Sequence, residues 1–166
     1  MRAVLFAVAM AAAPPVALAA PEVERIDVLD AGTYTVETGA ATADPSVPMG
    51  ETVAVKSATL IEAGTSVPAV LGTDFGFRYV PVGTPGGEAV SLDFVVAYPE
   101  PGLADPAAEA PIRGARFTRE KTIGKPDYLG YLLEEPWEAI PGTWHFEIWH
   151  DGRKLAERTF TLTAAP

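Results

Sequence analysis

Cysteine is absent from the 166 residues. That excludes disulfides, thiolate metal sites, a cysteine nucleophile and a lipid anchor on an N-terminal cysteine. Histidine is nearly absent, with only His145 and His150. The serines are Ser46, Ser57, Ser66 and Ser91, and none sits in a Gly-x-Ser-x-Gly elbow. No Gly-x-x-x-x-Gly-Lys loop cradles a phosphate, and no Gly-x-Gly-x-x-Gly opens a helix. Positive charge is short: 12 Lys and Arg stand against 22 Asp and Glu, a net of −10. A general nucleic-acid binder needs a basic face, so no nucleic-acid partner is expected. No window holds a 3.6-residue period long enough for a helix, and no apolar run approaches the roughly 20 residues needed to span a bilayer.

The longest apolar run, Ala3 to Ala13, follows the single charge of Arg2 and is closed by Pro14-Pro15. Ala17-Leu18-Ala19 then supplies a small-x-small cleavage site, which completes the layout of a secretory signal peptide over 1–19. Cleavage after Ala19 removes Arg2 and no acid, which takes the net charge from −10 to −11. The expected location is the periplasm or the medium, with residues 20–166 as one domain and no transmembrane segment in the mature chain. A cysteine-free exported chain of this length has to be stable from its core alone, and it is long enough to be so.

What remains reads as strands and turns, punctuated by 16 Pro and 15 Gly. Ile26 and Val28, then Tyr34 and Val36, alternate around an expected turn at Asp30-Ala31-Gly32, and 38–51 reads as a loop. Thr52 to Glu62 is β-branched; Phe75, Phe77 and Tyr79 alternate; Thr84-Pro85-Gly86-Gly87 is a turn. Val90, Leu92, Phe94, Val96 and Tyr98 mark a half-buried antiparallel strand, with Ser91 and Asp93 on its other face. Pro99 to Pro111 is a loop, Ile112 to Ile123 a strand interrupted near Gly114, and Tyr128 to Leu133 a short apolar strand. Trp144, Phe146 and Ile148 alternate with His145, Glu147 and Trp149 ahead of Asp151-Gly152, a favoured two-residue hairpin turn. Eight or nine strands at this spacing predict an all-β, immunoglobulin-like antiparallel β-sandwich, with a β-barrel as the alternative.

Charge is uneven along the chain. Residues 20–109 hold 14 acids and 3 basic side chains; residues 110–166 hold 8 of each. Arg113, Arg116, Arg119, Lys121 and Lys125 form a basic run with only Glu120 against them. Such a run receives an anionic ligand, blocks edge-to-edge strand pairing, or pairs with the acidic remainder of the domain. If Trp144, Phe146 and Ile148 face inward, then Trp149, His145 and Glu147 face outward, and Trp137 lies in the loop before them. Aromatic residues so placed stack on sugars or anchor a peptide, or else they plug one end of the sandwich. His145, Glu147 and His150 are too sparse a set for a metal site, and no metal or cofactor is assigned. Glu134, Glu135 and Glu138 read as solvated acids of a Pro-flanked loop.

Two segments taken together carry a family resemblance. One is Val67 through Gly72 to Asp74-Phe75-Gly76-Phe77; the other runs from Tyr128 through Glu135-Pro136 and Gly142-Thr143-Trp144 to Arg153-Lys154-Leu155-Ala156-Glu157 and Phe160. The chain resembles a bacterial family of small exported proteins, a domain of unknown function of the DUF3859 type, over roughly 25–162. The resemblance implies one exported β domain. It lends no activity and no site residue, and it gives Gly76 a structural role, either a close backbone approach or a bulge.

The function expected is a non-catalytic periplasmic binding or interaction module, with an envelope protein or a small ligand as partner. Two alternatives stand beside it: a cell-envelope hydrolase using the carboxylates around the hairpin, and a structural subunit that lends an edge strand to an assembly.

Overall fold

The computed structural model describes residues 20–45, 47 and 50–164; the expected signal peptide lies outside the described residues. Nine strands follow in chain order: β1 Glu22–Ala43, β2 Glu51–Ala63, β3 Ser66–Pro68, β4 Asp74–Thr84, β5 Ala89–Ala97, β6 Gly114–Thr122, β7 Asp127–Leu132, β8 Gly142–His150 and β9 Arg153–Thr163. They form a four-stranded sheet of order β2-β1-β4-β7 and a five-stranded sheet of order β3-β9-β8-β5-β6. Every pairing is antiparallel except β3 with β9. Among the described residues no pairing joins the two sheets, so the architecture is the sandwich and not the barrel.

Period-two alternation builds the core. Phe75, Phe77 and Tyr79 of β4 face Leu92 and Phe94 of β5, Trp144, Phe146 and Ile148 of β8, and Phe160 and Leu162 of β9, all essentially inaccessible to water. Phe75 sits at the hub. Its ring meets Trp144, Phe146 and Phe160 edge-on, with centroids 5.3, 5.8 and 5.5 Å away. Each such side chain contributes roughly 2–3 kcal/mol by leaving water, and the edge-to-face contacts add about 1 kcal/mol each. At the β8–β9 turn Asp151 and Gly152 both take positive φ, 48° and 74°, as a type I′ turn requires.

Two expectations fail in β1. No turn occurs at Asp30-Ala31-Gly32, and the loop at 38–51 shrinks, because β1 runs unbroken from Glu22 to Ala43. Its first half pairs with β4 as far as Tyr34, while β2 takes over from Gly32 onward. Gly32 is needed for strand approach: a Cβ there would lie 1.9 Å from the Glu62 carbonyl oxygen. The Asp30 carboxylate is taken up within the sheet, accepting from Arg78 on the neighbouring β4 and from the Tyr34 hydroxyl of its own strand at 2.6 Å. The distal halves of β1 and β2 therefore form a ribbon that continues past the end of β4. Val47 at its tip packs against the core, and Arg119 of β6 donates to the Asp44 carboxylate and, at 2.7 Å, to Thr52 Oγ1.

Candidate functional site

Registers across the five-stranded sheet place the hairpin residues on a grid facing away from the core. One row reads Lys154, Trp149, Asp93, Thr118; the next Glu157, Glu147, Val95, Arg116; the third Thr159, His145, Ala97, Gly114. Trp149, His145 and Glu147 thus share one face, each half-buried by its neighbours. The Trp149 indole N–H donates to Glu147 Oε2 at 2.7 Å, and Lys154 Nζ donates to Glu147 Oε1 at 3.0 Å. Lys154 and Arg116 flank the Trp149 ring, with their charged groups 5.9 and 6.0 Å from its centroid. These bonds and cation–π contacts fix the indole in one pose before any partner arrives.

Two acids of this face are held in their charged form. Hydrogen bonds from Thr118 and Arg116 hold the Asp93 carboxyl below its usual range, and Lys154 does the same for Glu157. His145 Nδ1 lies 3.1 Å from Thr159 Oγ1. Beyond His145 the grid ends on the small residues Ala97 and Gly114, and a shallow cleft of about 440 Å³ opens between Pro99 and Pro141.

Trp137 does not join this face. It is half-buried against the core from the β7–β8 loop, at the Gly142 end of β8, whereas Trp149 lies near the other end. Trp149 is seven positions along the strand from Gly142, roughly 23 Å. Glu138 in the same loop is not the solvated acid expected. It is fully buried and accepts from the backbone N–H groups of Glu134 and Glu135 at 2.8 and 2.9 Å, and from the Tyr131 hydroxyl. Its carboxylate holds the loop. His150 is buried on the opposite parity from His145, its Nδ1 3.1 Å from the Ser91 carbonyl oxygen. Among the described residues no three His, Cys, Asp or Glu side chains come together as a metal site.

The basic run divides by strand parity. Arg113 is exposed, 4.0 Å from Glu100. Arg116 points outward onto Asp93 at 2.9 Å. Arg119 and Lys121 point to the inner side of β6, where Arg119 holds the ribbon and Lys121 meets Asp127 of β7 at 2.7 Å. Lys125 lies in the β6–β7 turn and lines a second cleft of about 450 Å³ with Lys56, Arg78, Lys121, Glu120 and Asp127. Sequence reasoning missed this cleft, because Lys56 and Arg78 reach it only when the ribbon crosses toward β6. No local pattern announces that crossing.

Asp74, the first residue of β4, accepts from the Tyr128 hydroxyl at 2.6 Å, and the Tyr128 ring lies against Tyr34, centroids 4.8 Å apart. Burial pushes the Asp74 carboxyl up to about 6, against the lowering effect of the Tyr128 bond and with a further push from Glu134.

A family model described as a domain of unknown function, DUF3859, matches residues 23–162. The chain belongs to the DUF3859 family. Among solved structures, an immunoglobulin-like protein from Pseudomonas aeruginosa is similar at 24% identity, with a TM-score of 0.54 over 89% of this chain and 100% of that one. That likeness shows the immunoglobulin-like fold. A Pseudomonas fluorescens alkylpurine DNA glycosylase bound to DNA containing an abasic-site analogue aligns at 13% identity and a TM-score of 0.35, over 59% of this chain and 27% of that one. No curated protein matches. Among the described residues no helix is long and apolar enough to cross a membrane. In this DUF3859 member, as in other sandwiches, the fold alone leaves the role to the site.

Proposed function

We propose that this DUF3859 protein is exported to the periplasm, loses residues 1–19 there, and works as a non-catalytic interaction module. It holds a partner of the cell envelope across the Trp149 face. The observation that carries the reading is the pose of Trp149. A large aromatic ring on an outward face is held by Glu147 and flanked by two cations, which is how interface anchors are built. Against the hydrolase alternative, Glu138 is consumed by the loop and Glu147 by Trp149 and Lys154.

The test starts with residues 20–166 immobilised and exposed to a periplasmic extract, beside a Trp149→Ala variant whose folding is checked by circular dichroism. A retained partner is then purified and titrated against both. Loss of Trp149 weakens binding at least tenfold, and Trp149→Phe restores part of it. Equal affinity of the two proteins for the partner refutes the reading. A second reading, pairing by β-augmentation, is favoured by β2, a 13-residue edge strand with Val53 and Val55 exposed. A partner indifferent to Trp149→Ala but lost on Val55→Lys selects it.

A further inference from the structure

The cleft between the β1–β2 ribbon and the β6–β7 turn has a composition at odds with the chain that builds it. The chain carries 22 acids and 12 basic side chains, yet this wall presents Lys56, Arg78, Lys121 and Lys125 against Glu120 and Asp127. The cations come from β2, β4, β6 and the β6–β7 turn, so tertiary structure and not a sequence run brings them together. Two of them hold the walls: Lys121 bonds Asp127 across the open side of the sandwich at 2.7 Å, and Arg78 bonds Asp30 on β1. The anchoring of the ribbon by Arg119 keeps the third wall in place. Lys56 and Lys125 are exposed and have no carboxylate partner among the described residues. In a protein with a large excess of acids, two ammonium groups left unpaired on one cleft are free to meet a ligand.

The geometry points to this cleft as a binding site for a small phosphate-bearing anion. Lysine ammonium groups act on phosphate as point charges and ask for no planar geometry. Cations set in a concave wall focus the local field against the net negative charge of the chain. About 450 Å³ has room for a phosphate group and part of the molecule that carries it. The site opens between the β1–β2 ribbon and the β6–β7 turn, apart from the Trp149 face on the outer side of the five-stranded sheet, and it stands or falls independently of the partner proposed there.

Isothermal titration of residues 20–166 with inorganic pyrophosphate tests the site, beside flotation with vesicles of phosphatidylcholine alone or mixed with phosphatidylglycerol. Three proteins are compared: the wild type, a Lys56→Ala/Lys125→Ala double variant, and Arg113→Ala as a control cation outside the cleft. The expected result is pyrophosphate binding that weakens at least tenfold in the double variant, is unchanged in Arg113→Ala, and falls with added salt. Binding to phosphatidylglycerol vesicles with the same variant dependence assigns the phosphate to a lipid headgroup; pyrophosphate binding without vesicle binding assigns it to a soluble compound. The double variant changes exposed side chains only, and circular dichroism checks its fold. No binding to either probe, equal binding by the double variant, or binding only to a poly-glutamate peptide run as a third probe overturns the proposal.

Discussion

Asp74 is a carboxylate the fold holds at a cost. Its carboxyl titrates near 6 instead of 3.8, chiefly because burial disfavours its charge, while Tyr128 offers only one hydrogen bond in return. Below about pH 4 the group is neutral in both the folded and the unfolded chain and costs nothing. Between about pH 4 and 6 the unfolded chain ionises while the folded chain lags, so this contribution to stability is lost as the pH rises, and the loss is complete above the folded value. At about 1.4 kcal/mol per pH unit the penalty approaches 3 kcal/mol, and solvent at the half-buried oxygens reduces it to about 2 kcal/mol. Asp74→Asn keeps an acceptor for the Tyr128 hydroxyl and removes the charge. The variant is therefore expected to match the wild type near pH 4 and to exceed it by about 2 kcal/mol at pH 7, or about 6 °C in melting temperature. Urea denaturation of both proteins at pH 4, 5, 6 and 7 reads the difference. A constant offset across that range, or a variant less stable at pH 7, refutes the burial argument.

Two further substitutions probe the same sheet. Gly76→Ala places a Cβ 2.2 Å from the Leu129 carbonyl oxygen and 2.5 Å from the Gly130 Cα, both backbone atoms of β7, and is expected to cost about 3 kcal/mol or more in urea unfolding. A loss under 1 kcal/mol would show that β7 yields readily. Tyr79→Phe removes a buried hydroxyl that has no hydrogen-bond partner among the described residues, so stability is expected to hold or rise by about 1 kcal/mol. A lowered melting temperature would reveal a partner for that hydroxyl.

The strands legible in the sequence are those that bury one face against the other sheet. Val90 to Val96 and Trp144 to Ile148 alternate because every second residue enters one apolar core, and Asp151-Gly152 fixes the register between β8 and β9. For Gly76 the sequence left a close backbone approach or a bulge open, and the close packing on β7 in an unbroken register decides for the approach. The features that escaped depend on distant partners. Asp30-Ala31-Gly32 has the composition of a turn, but Arg78 takes up the Asp30 carboxylate and the Glu62 carbonyl leaves room for no side chain at Gly32. Glu138 looks like a surface acid until two backbone N–H groups and a tyrosine converge on it. β3 is three residues long and exists only because β9 pairs with it.

Charge clustered along the sequence is likewise no guide to charge clustered in space. The run from Arg113 to Lys125 reads as one patch, but β6 alternates, and Arg116 leaves on the face opposite Arg119 and Lys121. Arg116 joins the grid around Trp149. Arg119 and Lys121 turn to the edge of the core, where their charges lie 5.1 and 5.7 Å from the rings of Phe117 and Phe94 and meet Asp44 and Asp127. One of those acids, Asp44, comes from the acid-rich first part of the chain, so the unevenness of charge along the sequence serves the docking of the β1–β2 ribbon onto β6. Pairing of this kind consumes most of the run and leaves Lys125 over. The lysine that joins it, Lys56, comes from β2, 69 positions earlier in the chain. A binding surface assembled from such remainders belongs to the tertiary fold, and substitutions that loosen the ribbon, at Arg119 or Asp44, act on it without touching either lysine.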